Sequence, residues 1–240
     1  MLFLLAACAP QPKTVGNTVP KAPVRITGSR EMEVWVQQAR ENTGTLPSQP
    51  DIVFIPSNSE TGLRLLQRGR ADIALVSWLP SPLPSGYLTK PIGQDAVVFI
   101  INPAAGITQV SSDTLRDIFA GRYLSWQQVG GNDVPIRLVS REEGAGARAL
   151  IETKLMGEEG IALTALVIPD AKAIVRYVSR HEGAIGYVSA SIVNDQVPLL
   201  TIDDVLPTAQ NIEEGLYPLT YTVMAVFPAT SHDVNLYWHE

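Results

Sequence analysis

The stretch at 50–80, PDIVFIPSNSETGLRLLQRGRADIALVSWLP, constrains the fold more than any other part of the sequence. Apolar runs at 52–55 and 73–76 are typical of buried strands, and they flank a Ser/Asn loop and a short helical pattern with three leucines at 63–66. A strand, a helix and a second strand in this order imply a largely parallel sheet with ligand-binding loops at the carboxyl ends of its strands. The sequence therefore predicts an α/β fold.

Neighbouring stretches extend this plan. Residues 23–44 combine a short strand, a Gly-Ser turn and apolar residues at helical spacing, with Gly44 as the stop. Residues 112–121 predict a further helix with Ser112 as its N-cap. The apolar run within 91–103 is continuous, which is typical of a strand buried on both faces or passing between two lobes. At 240 residues the chain is long enough for one large domain or two small lobes.

The N-terminal segment MLFLLAACAP ends an apolar run at Cys8, the single cysteine of the chain. That run is too short to span a bilayer and indicates the end of a secretory signal. The Leu-Ala-Ala-Cys pattern resembles the lipobox of bacterial lipoproteins, in which the leader is removed before a cysteine that carries lipid. We therefore predict that residues 1–8 are a leader remnant, that Cys8 is lipidated and that residues 9–23 form a flexible tether. The alternative is an ordinary buried cysteine.

Composition and motifs argue against several classes of function. A formal net charge of −6 argues against a broad nucleic-acid footprint, although a few arginines can still focus a local positive field. One cysteine and three histidines are too few for a cysteine-based zinc site or a histidine-rich cluster. The sequence contains no Gly-x-Ser-x-Gly, His-Glu-x-x-His or Gly-x-x-x-x-Gly-Lys-Ser/Thr motif. We therefore expect no enzymatic activity, no cofactor and no metal.

The segment VSREEGAGARALIETKLMG at 139–157 places an arginine, two acids and a Gly/Ala loop between a strand and a helix. A helix beginning near Ala147 would present free backbone N–H groups and a partial positive charge to an anion, and glycines let the backbone approach closely. Arg141 can offer its planar guanidinium to a pair of anion oxygens, with Glu143 holding it from behind. The segment predicts an anion site; the alternative is a simple turn with a solvated arginine.

Five motifs occur in one order along the chain. They are DIFAG at 117–121, WQQVGG at 126–131, SREEGAGAR at 140–148, GAIGYV at 183–188 and YPL at 217–219. Together they resemble the periplasmic phosphate-binding protein family of ABC transporters, and the resemblance covers roughly residues 24–228. It implies a type II periplasmic-binding-protein fold, in which two hinge-connected α/β lobes close on a ligand. Lobe 1 would comprise residues 24–95 with 215–240, and lobe 2 residues 96–214.

Carried over position by position, the resemblance implies a ligand site built from three loops. These are Gly28, Ser29 and Arg30 after the first strand, Ser57, Asn58 and Ser59 after the second, and Arg141 with Gly144, Ala145, Gly146 and Ala147 after a later one. Arg148 would add positive charge. The alternative for each serine is a helix N-cap that satisfies its own backbone and touches no ligand.

The sequence departs from the family pattern at three positions. Ala145 and Ala147 stand where the family has hydroxyl residues that contact the anion, and Ser77-Trp78 stands where it has Ser-Asp. Each lost charge-assisted hydrogen bond is worth on the order of 1.5–3 kcal/mol. The departures therefore predict weaker phosphate binding and admit a sulfate-like oxyanion, an organic phosphate or a carboxylate. Trp78 is expected either to stack on a larger ligand or to close part of the cleft.

These observations predict an extracytoplasmic solute-binding lipoprotein of an ABC importer. It would be a monomer, anchored to the membrane only through lipid, that binds phosphate or another small anion between its lobes and docks on the permease subunits. The alternative is a non-transport sensor or interaction module with the same fold and no tight ligand. At the C-terminus, PATSHDVNLYWHE predicts a last helix that begins near Val234 and is cut short, or a chain that is a fragment.

Overall fold

A computed structural model of the chain describes residues 22–44, 51–193, 196–231 and 237–238. The predicted leader at 1–8, the predicted tether through residue 21 and the predicted helix near Val234 lie outside the described residues. Within the described ranges, no helix has the length and apolar character needed to cross a bilayer.

The described part consists of strands and mostly short helices. The strands are β1 Val24–Gly28, β2 Ile52–Pro56, β3 Ile73–Val76, β4 Tyr87–Ile101, β5 Gln109–Val110, β6 Arg137–Ser140, β7 Leu166–Val167, β8 Ala184–Ser189, β9 Thr201–Ile202 and β10 Thr220–Pro228. The α-helices are α1 Glu33–Thr43, α2 Ser59–Gln67, α3 Ser112–Phe119, α4 Gly146–Ile151, α5 Ala171–Arg180 and α6 Ala209–Glu213. Turns of 3-10 helix lie at Arg30–Met32, Pro103–Ala105, Trp126–Val129 and Ala190–Ile192, and α4 continues as a π-helical turn at Glu152–Met156.

Eight of these strands form one mixed sheet in the order β2-β1-β3-β10-β4-β8-β6-β7. β1 runs parallel to β2 and β3 at one end, and β6 runs parallel to β7 and β8 at the other. The α/β prediction is confirmed. The parallel arrangement is limited to the two flanks, because the central pairs β3–β10, β10–β4 and β4–β8 are all antiparallel.

Strand β4 is shared by the two ends of the sheet. Its residues up to Ala96 pair with β10, and its residues from Val97 onward pair with β8. The residues at 97–101 are at most 1% exposed, as expected of a continuous apolar run. We call β1, β2, β3 and β10 with α1 and α2 the first half, and β6, β7 and β8 with α3, α4 and α5 the second half.

The helix ends follow local sequence signals. Gly44 ends α1 with a φ of +67°, a conformation that glycine adopts without strain. Asn58, rather than Ser59, caps α2 by accepting the backbone N–H three residues on at 2.8 Å. Ser111, rather than the predicted Ser112, caps α3 in the same way at 3.1 Å. Each cap lies one residue before the first helical residue, because an N-cap keeps an extended backbone while its side chain reaches forward.

Several of the sequence motifs form the core of the second half. Phe119 of the DIFAG motif packs edge-on against Phe99 with 5.2 Å between ring centroids, and Tyr187 of the GAIGYV motif packs against both rings. Trp126 is fully buried, and its indole N–H donates to the carbonyl of Gly183 at 2.9 Å. These motif residues therefore specify packing, and through β8 they fix the position of the neighbouring strand β6.

Candidate functional site

The carboxyl ends of four strands meet where the two halves of the sheet face each other. Ser29 follows β1, Asn58 lies after β2, Ser77 follows β3 and Arg141 follows β6. Together they line a cavity of about 10 Å³, which is room for about one water molecule. The other lining residues are Glu31, Met32, Ala145, Gly146, Ala147, Ser189 and Tyr221.

Arg141 is the buried cation of this cavity, with 4% of its surface exposed. Its Nη1 donates to Glu31 Oε1 at 2.6 Å, and its Nε and Nη2 donate to the two carboxylate oxygens of Glu142 at 3.0 and 3.4 Å. Burial lowers the pKa of Arg141, the two carboxylates raise it, and the net shift is upward. The guanidinium is therefore charged and is paired with two carboxylates of the chain itself.

Glu142 rather than Glu143 holds the guanidinium, so the prediction for Glu143 was wrong. Glu143 is exposed, whereas Glu142 is half-buried beside Arg141. Successive side chains of a non-helical loop point in different directions. Here it is Glu142 that turns toward the guanidinium.

The backbone at Arg141 is fixed by side chains behind it. Tyr187 Oη lies 2.8 Å from Ser140 Oγ and accepts the Arg141 backbone N–H at 3.2 Å. Burial raises the pKa of Tyr187, so it remains a neutral hydroxyl. Arg148 pairs with Glu152 at 2.7 Å and donates to the Arg141 carbonyl at 3.1 Å. Arg148 thus supports the loop and does not line the small cavity.

The loop after Arg141 brings the two halves into contact. The Glu60 backbone N–H of the first half donates to the Gly144 carbonyl of the second half at 3.2 Å. A Cβ atom on Gly146 would lie 2.0 Å from Ser77 Oγ and 2.5 Å from Ser59 Oγ. A side chain at position 146 would therefore force the serine side chains of the first half to move.

The remaining predicted site residues lie around the cavity rather than on it. Arg30 and Ser57 line a wider depression of about 410 Å³, which shares Glu31 and Arg141 with the small cavity. Ser57 Oγ is 2.9 Å from Thr27 Oγ1. The depression is therefore the open side of the site, with Arg30 as an exposed cation on it.

Trp78 and Gly28 do not reach the small cavity. Trp78 lines a separate groove together with Leu63, Pro80, Pro84 and Gly144. Gly28 packs on β3, where a Cβ atom would lie 2.9 Å from the Leu75 carbonyl oxygen. The structure therefore gathers Ser29, Asn58, Arg141 and residues 145–147, leaves Ser59 buried beside Gly146, and places Trp78 and Gly28 elsewhere.

Sequence reasoning missed a buried acid next to the cavity. Asp95 of β4 is 6% exposed and accepts hydrogen bonds from Ser189 Oγ at 2.5 Å, Tyr221 Oη at 3.0 Å and the Ala96 backbone N–H at 2.7 Å. Ser189 and Tyr221 themselves line the cavity. Asp95 is the single acid of β4 and directly precedes its apolar run, which is a signal of a buried, bonded carboxyl that could have been used.

The pH dependence of stability should reveal this carboxyl. Burial raises the pKa of Asp95 more than its hydrogen-bond donors lower it. Because the folded value lies above the unfolded value of about 3.9, the stabilising contribution is present below the unfolded pKa and is lost as the pH rises through the folded pKa. We expect the free energy of unfolding of wild type, relative to Asp95→Asn, to fall as the pH rises from about 4 to 7. Urea denaturation across that range measures it, and a constant or rising difference contradicts the direction.

The chemistry of the site is that of hydrogen bonding and charge. Among the described residues, no group of three or more His, Cys, Asp or Glu side chains is placed to hold a metal ion. The hydroxyls of Ser29 and Ser77 line the cavity beside Arg141, and those of Ser189 and Tyr221 line it while donating to Asp95. Such an arrangement has the chemistry to hold a small polar group.

The chain is similar in sequence and in fold to phosphate-binding proteins of bacteria. Phosphate-binding protein PstS of Bacillus subtilis (strain 168) is 29% identical over 211 residues, which cover 85% of this chain and 69% of that protein. An ABC-type phosphate transport receptor from Vibrio cholerae superposes with a TM-score of 0.70 at 27% identity, covering 88% of both chains. A substrate-binding protein with bound phosphate from Clostridium perfringens superposes with a TM-score of 0.77 at 24% identity, covering 86% of both chains, and this match shows likeness of fold.

The family assignment follows from the extent of the match. The sequence model of the PBP superfamily domain matches residues 9–234, which is nearly the whole chain. The observed sheet, with β4 shared between two facing halves, agrees with the fold of the superposed binding proteins. The chain therefore belongs to the PBP superfamily and has the two-lobed fold of the periplasmic phosphate-binding proteins.

Proposed function

We propose that this chain is the extracytoplasmic solute-binding protein of an ABC importer and that it binds phosphate or a related oxyanion between its lobes. The observation that carries the proposal is the convergence of loops from both halves on one buried arginine, Arg141. Lobes that close around a small ligand convert binding into a change of shape that a membrane partner can detect. The names of the Bacillus subtilis and Vibrio cholerae proteins support phosphate as the solute and binding without catalysis as the role.

Hydroxyl groups other than the two that the family pattern supplies support an oxyanion ligand. Ala147 offers only its backbone N–H group at the start of α4, and the backbone N–H of Ala145 donates to the Glu142 carbonyl at 3.3 Å. The side chains of Ser29 and Ser77 line the same cavity and can donate, whereas Ser189 and Tyr221 use their single O–H group on Asp95. A small oxyanion with several acceptor oxygens suits this set better than a bulky organic ligand, because Trp78 lies outside the cavity.

The finer features of the proposal rest on the sequence and on the strand pairing. Lobe 1 would comprise residues 24–95 with 215–240 and lobe 2 residues 96–214, since β4 changes its partner after Ala96. The monomeric protein would deliver its solute to the permease subunits of the transporter. The Leu-Ala-Ala-Cys pattern supports attachment to the membrane through lipid on Cys8.

Isothermal titration calorimetry of the full chain with phosphate, sulfate, molybdate and a few organic phosphates tests the proposal. One oxyanion is expected to give a saturable heat and to raise the melting temperature. Ser77→Ala should weaken that binding about tenfold, the worth of one hydrogen bond to a charged group. Ser179→Ala is the matched control, since its hydroxyl bonds within α5. A folded protein that gives no heat and no thermal shift with any of these anions contradicts the proposal, as do equal effects of the two variants.

A non-transport sensor or interaction module is the second candidate function. The observation that favours it is the pairing of Arg141 with Glu31 and Glu142, which engages the guanidinium within the protein. If none of the tested anions gives a calorimetric response, this second function is favoured.

A further inference from the structure

The side chain of Glu31 has a place in the site that no sequence motif indicated. Glu31 lies on the 3-10 turn Arg30–Met32 after β1 and is 8% exposed. Its carboxylate spans from the first half to the second half and meets Arg141 Nη1 at 2.6 Å. Building on the proposed function, we infer that Glu31 is a built-in competitor of the solute, whose carboxylate takes the position on Arg141 that an oxyanion must take.

The hydrogen-bonding capacity of Arg141 supports this inference. A guanidinium binds an oxyanion best when two parallel N–H groups point at two oxygens. The edge formed by Nε and Nη2 faces both oxygens of Glu142, and Nη1 faces Glu31. Of the two carboxylates, Glu142 is the neighbour of Arg141 in the chain, whereas Glu31 comes from the opposite half. Glu31 is therefore the partner that an entering solute would displace.

The space around Arg141 leads to the same conclusion. The cavity of about 10 Å³ has room for about one water molecule, and a tetrahedral oxyanion is larger than that. Its walls at Ser77 and Gly146 are already in close contact. Withdrawal of the Glu31 side chain would enlarge this cavity at Arg141.

The charge of the cluster adds a second reason. One guanidinium and two carboxylates sum to one negative charge, so an arriving anion is repelled while Glu31 is in place. Glu31 also contributes, after burial and Asp95, to the raised pKa of Tyr221, which lines the same cavity. Without Glu31 the remaining pair of Arg141 and Glu142 is neutral, and the repulsion of an anion is reduced.

The turn that carries Glu31 is suited to such a movement. Ser29 precedes the turn without a side-chain hydrogen bond to it, and the turn is only three residues long. Arg30 beside it is exposed on the wider depression. When Glu31 leaves Arg141, its carboxylate can turn toward this open side and the water there.

Phosphate titrations of wild type, Glu31→Ala and Glu33→Ala test the inference. Glu33 is an exposed acid two residues away, so its variant removes the same charge without opening the cavity. We expect phosphate to bind Glu31→Ala about 10- to 100-fold more tightly than wild type, the worth of one competing charge-assisted bond. Glu33→Ala should match wild type. Equal affinity of Glu31→Ala and wild type, or an equal gain in both variants, overturns the inference while the proposed function stands on the wild-type titration.

If none of the three proteins binds phosphate, the proposed function is refuted. Small-angle X-ray scattering in anion-free buffer then tests the inference about Glu31. Because the Glu31–Arg141 contact joins the two halves, Glu31→Ala should have a larger radius of gyration than wild type and Glu33→Ala. An unchanged radius overturns the inference. Glu31→Gln, which keeps the shape of the side chain, replaces Glu31→Ala in both measurements if circular dichroism shows that the alanine variant is unfolded.

Discussion

Alanine in place of Arg141 should lower the free energy of unfolding by about 3–5 kcal/mol, the typical cost of removing one partner of a buried ion pair. Glu31 is 8% exposed and would lose the cation that compensates its charge. The guanidinium also fills the cavity wall, so its removal leaves a gap between the two halves. Urea denaturation at neutral pH measures the change.

An exposed arginine provides the control for this substitution. Arg122 pairs with Asp117 and Glu159, and its side chain is 52% exposed. Arg122→Ala should cost much less stability than Arg141→Ala, because exposed ion pairs are screened by water. If the two variants lose equal stability, the Arg141 cluster contributes no more than a surface pair.

A compensating substitution separates the loss of charge pairing from the loss of packing. Combining Arg141→Met with Glu31→Leu removes both charges that face each other across the halves and retains apolar volume. Buried ion pairs replaced in this way often keep or gain stability, by about 1–4 kcal/mol. The double variant should therefore be more stable than Arg141→Ala. If it is no more stable, the loss arises from packing or from Glu142.

The strands and helices were predictable because they depend on local periodicity. The apolar run at 73–76 coincides with β3, and the glycine at position 44 ends α1 where the helical pattern stops. The loops of the site were predictable for a related reason, since parallel strands place their carboxyl ends together. Sequence reasoning therefore located the region of the site from patterns that each span fewer than about 20 residues.

The contacts within the site were not predictable, because they join residues far apart in the chain. Glu31 and Arg141 are separated by 110 positions, and no local pattern shows which acid meets a given arginine. Asp95 meets Ser189 and Tyr221 across 94 and 126 positions. Whether Glu142 or Glu143 contacts Arg141 depends on the direction of the loop, which turns at Gly144 with a φ of +80°.

Valine in place of Gly146 should hold the two halves apart and weaken phosphate binding. A Cβ atom there would lie 2.0 Å from Ser77 Oγ and 2.5 Å from Ser59 Oγ, and Ser77 Cβ is only 3.2 Å away. Rotation of the two serine side chains could relieve the contact with a single methyl group, whereas the branched valine side chain needs backbone movement. Overpacking of this kind costs about 1–3 kcal/mol, which corresponds to roughly 10- to 100-fold weaker binding if closure is required for binding.

Gly160→Val is the matched control for Gly146→Val. Gly160 is an exposed glycine of the same half, and a Cβ atom there would meet nothing within 4 Å. Calorimetry with phosphate and small-angle scattering should show weaker binding and a larger radius of gyration for Gly146→Val only. Normal binding by Gly146→Val would mean that the solute is held without the contact between Gly146 and the first half. If the radius of gyration increases without any loss of affinity, Arg141 and its own lobe are sufficient to bind the anion. Closure of the lobes would then be needed for recognition by the permease and not for binding of the solute.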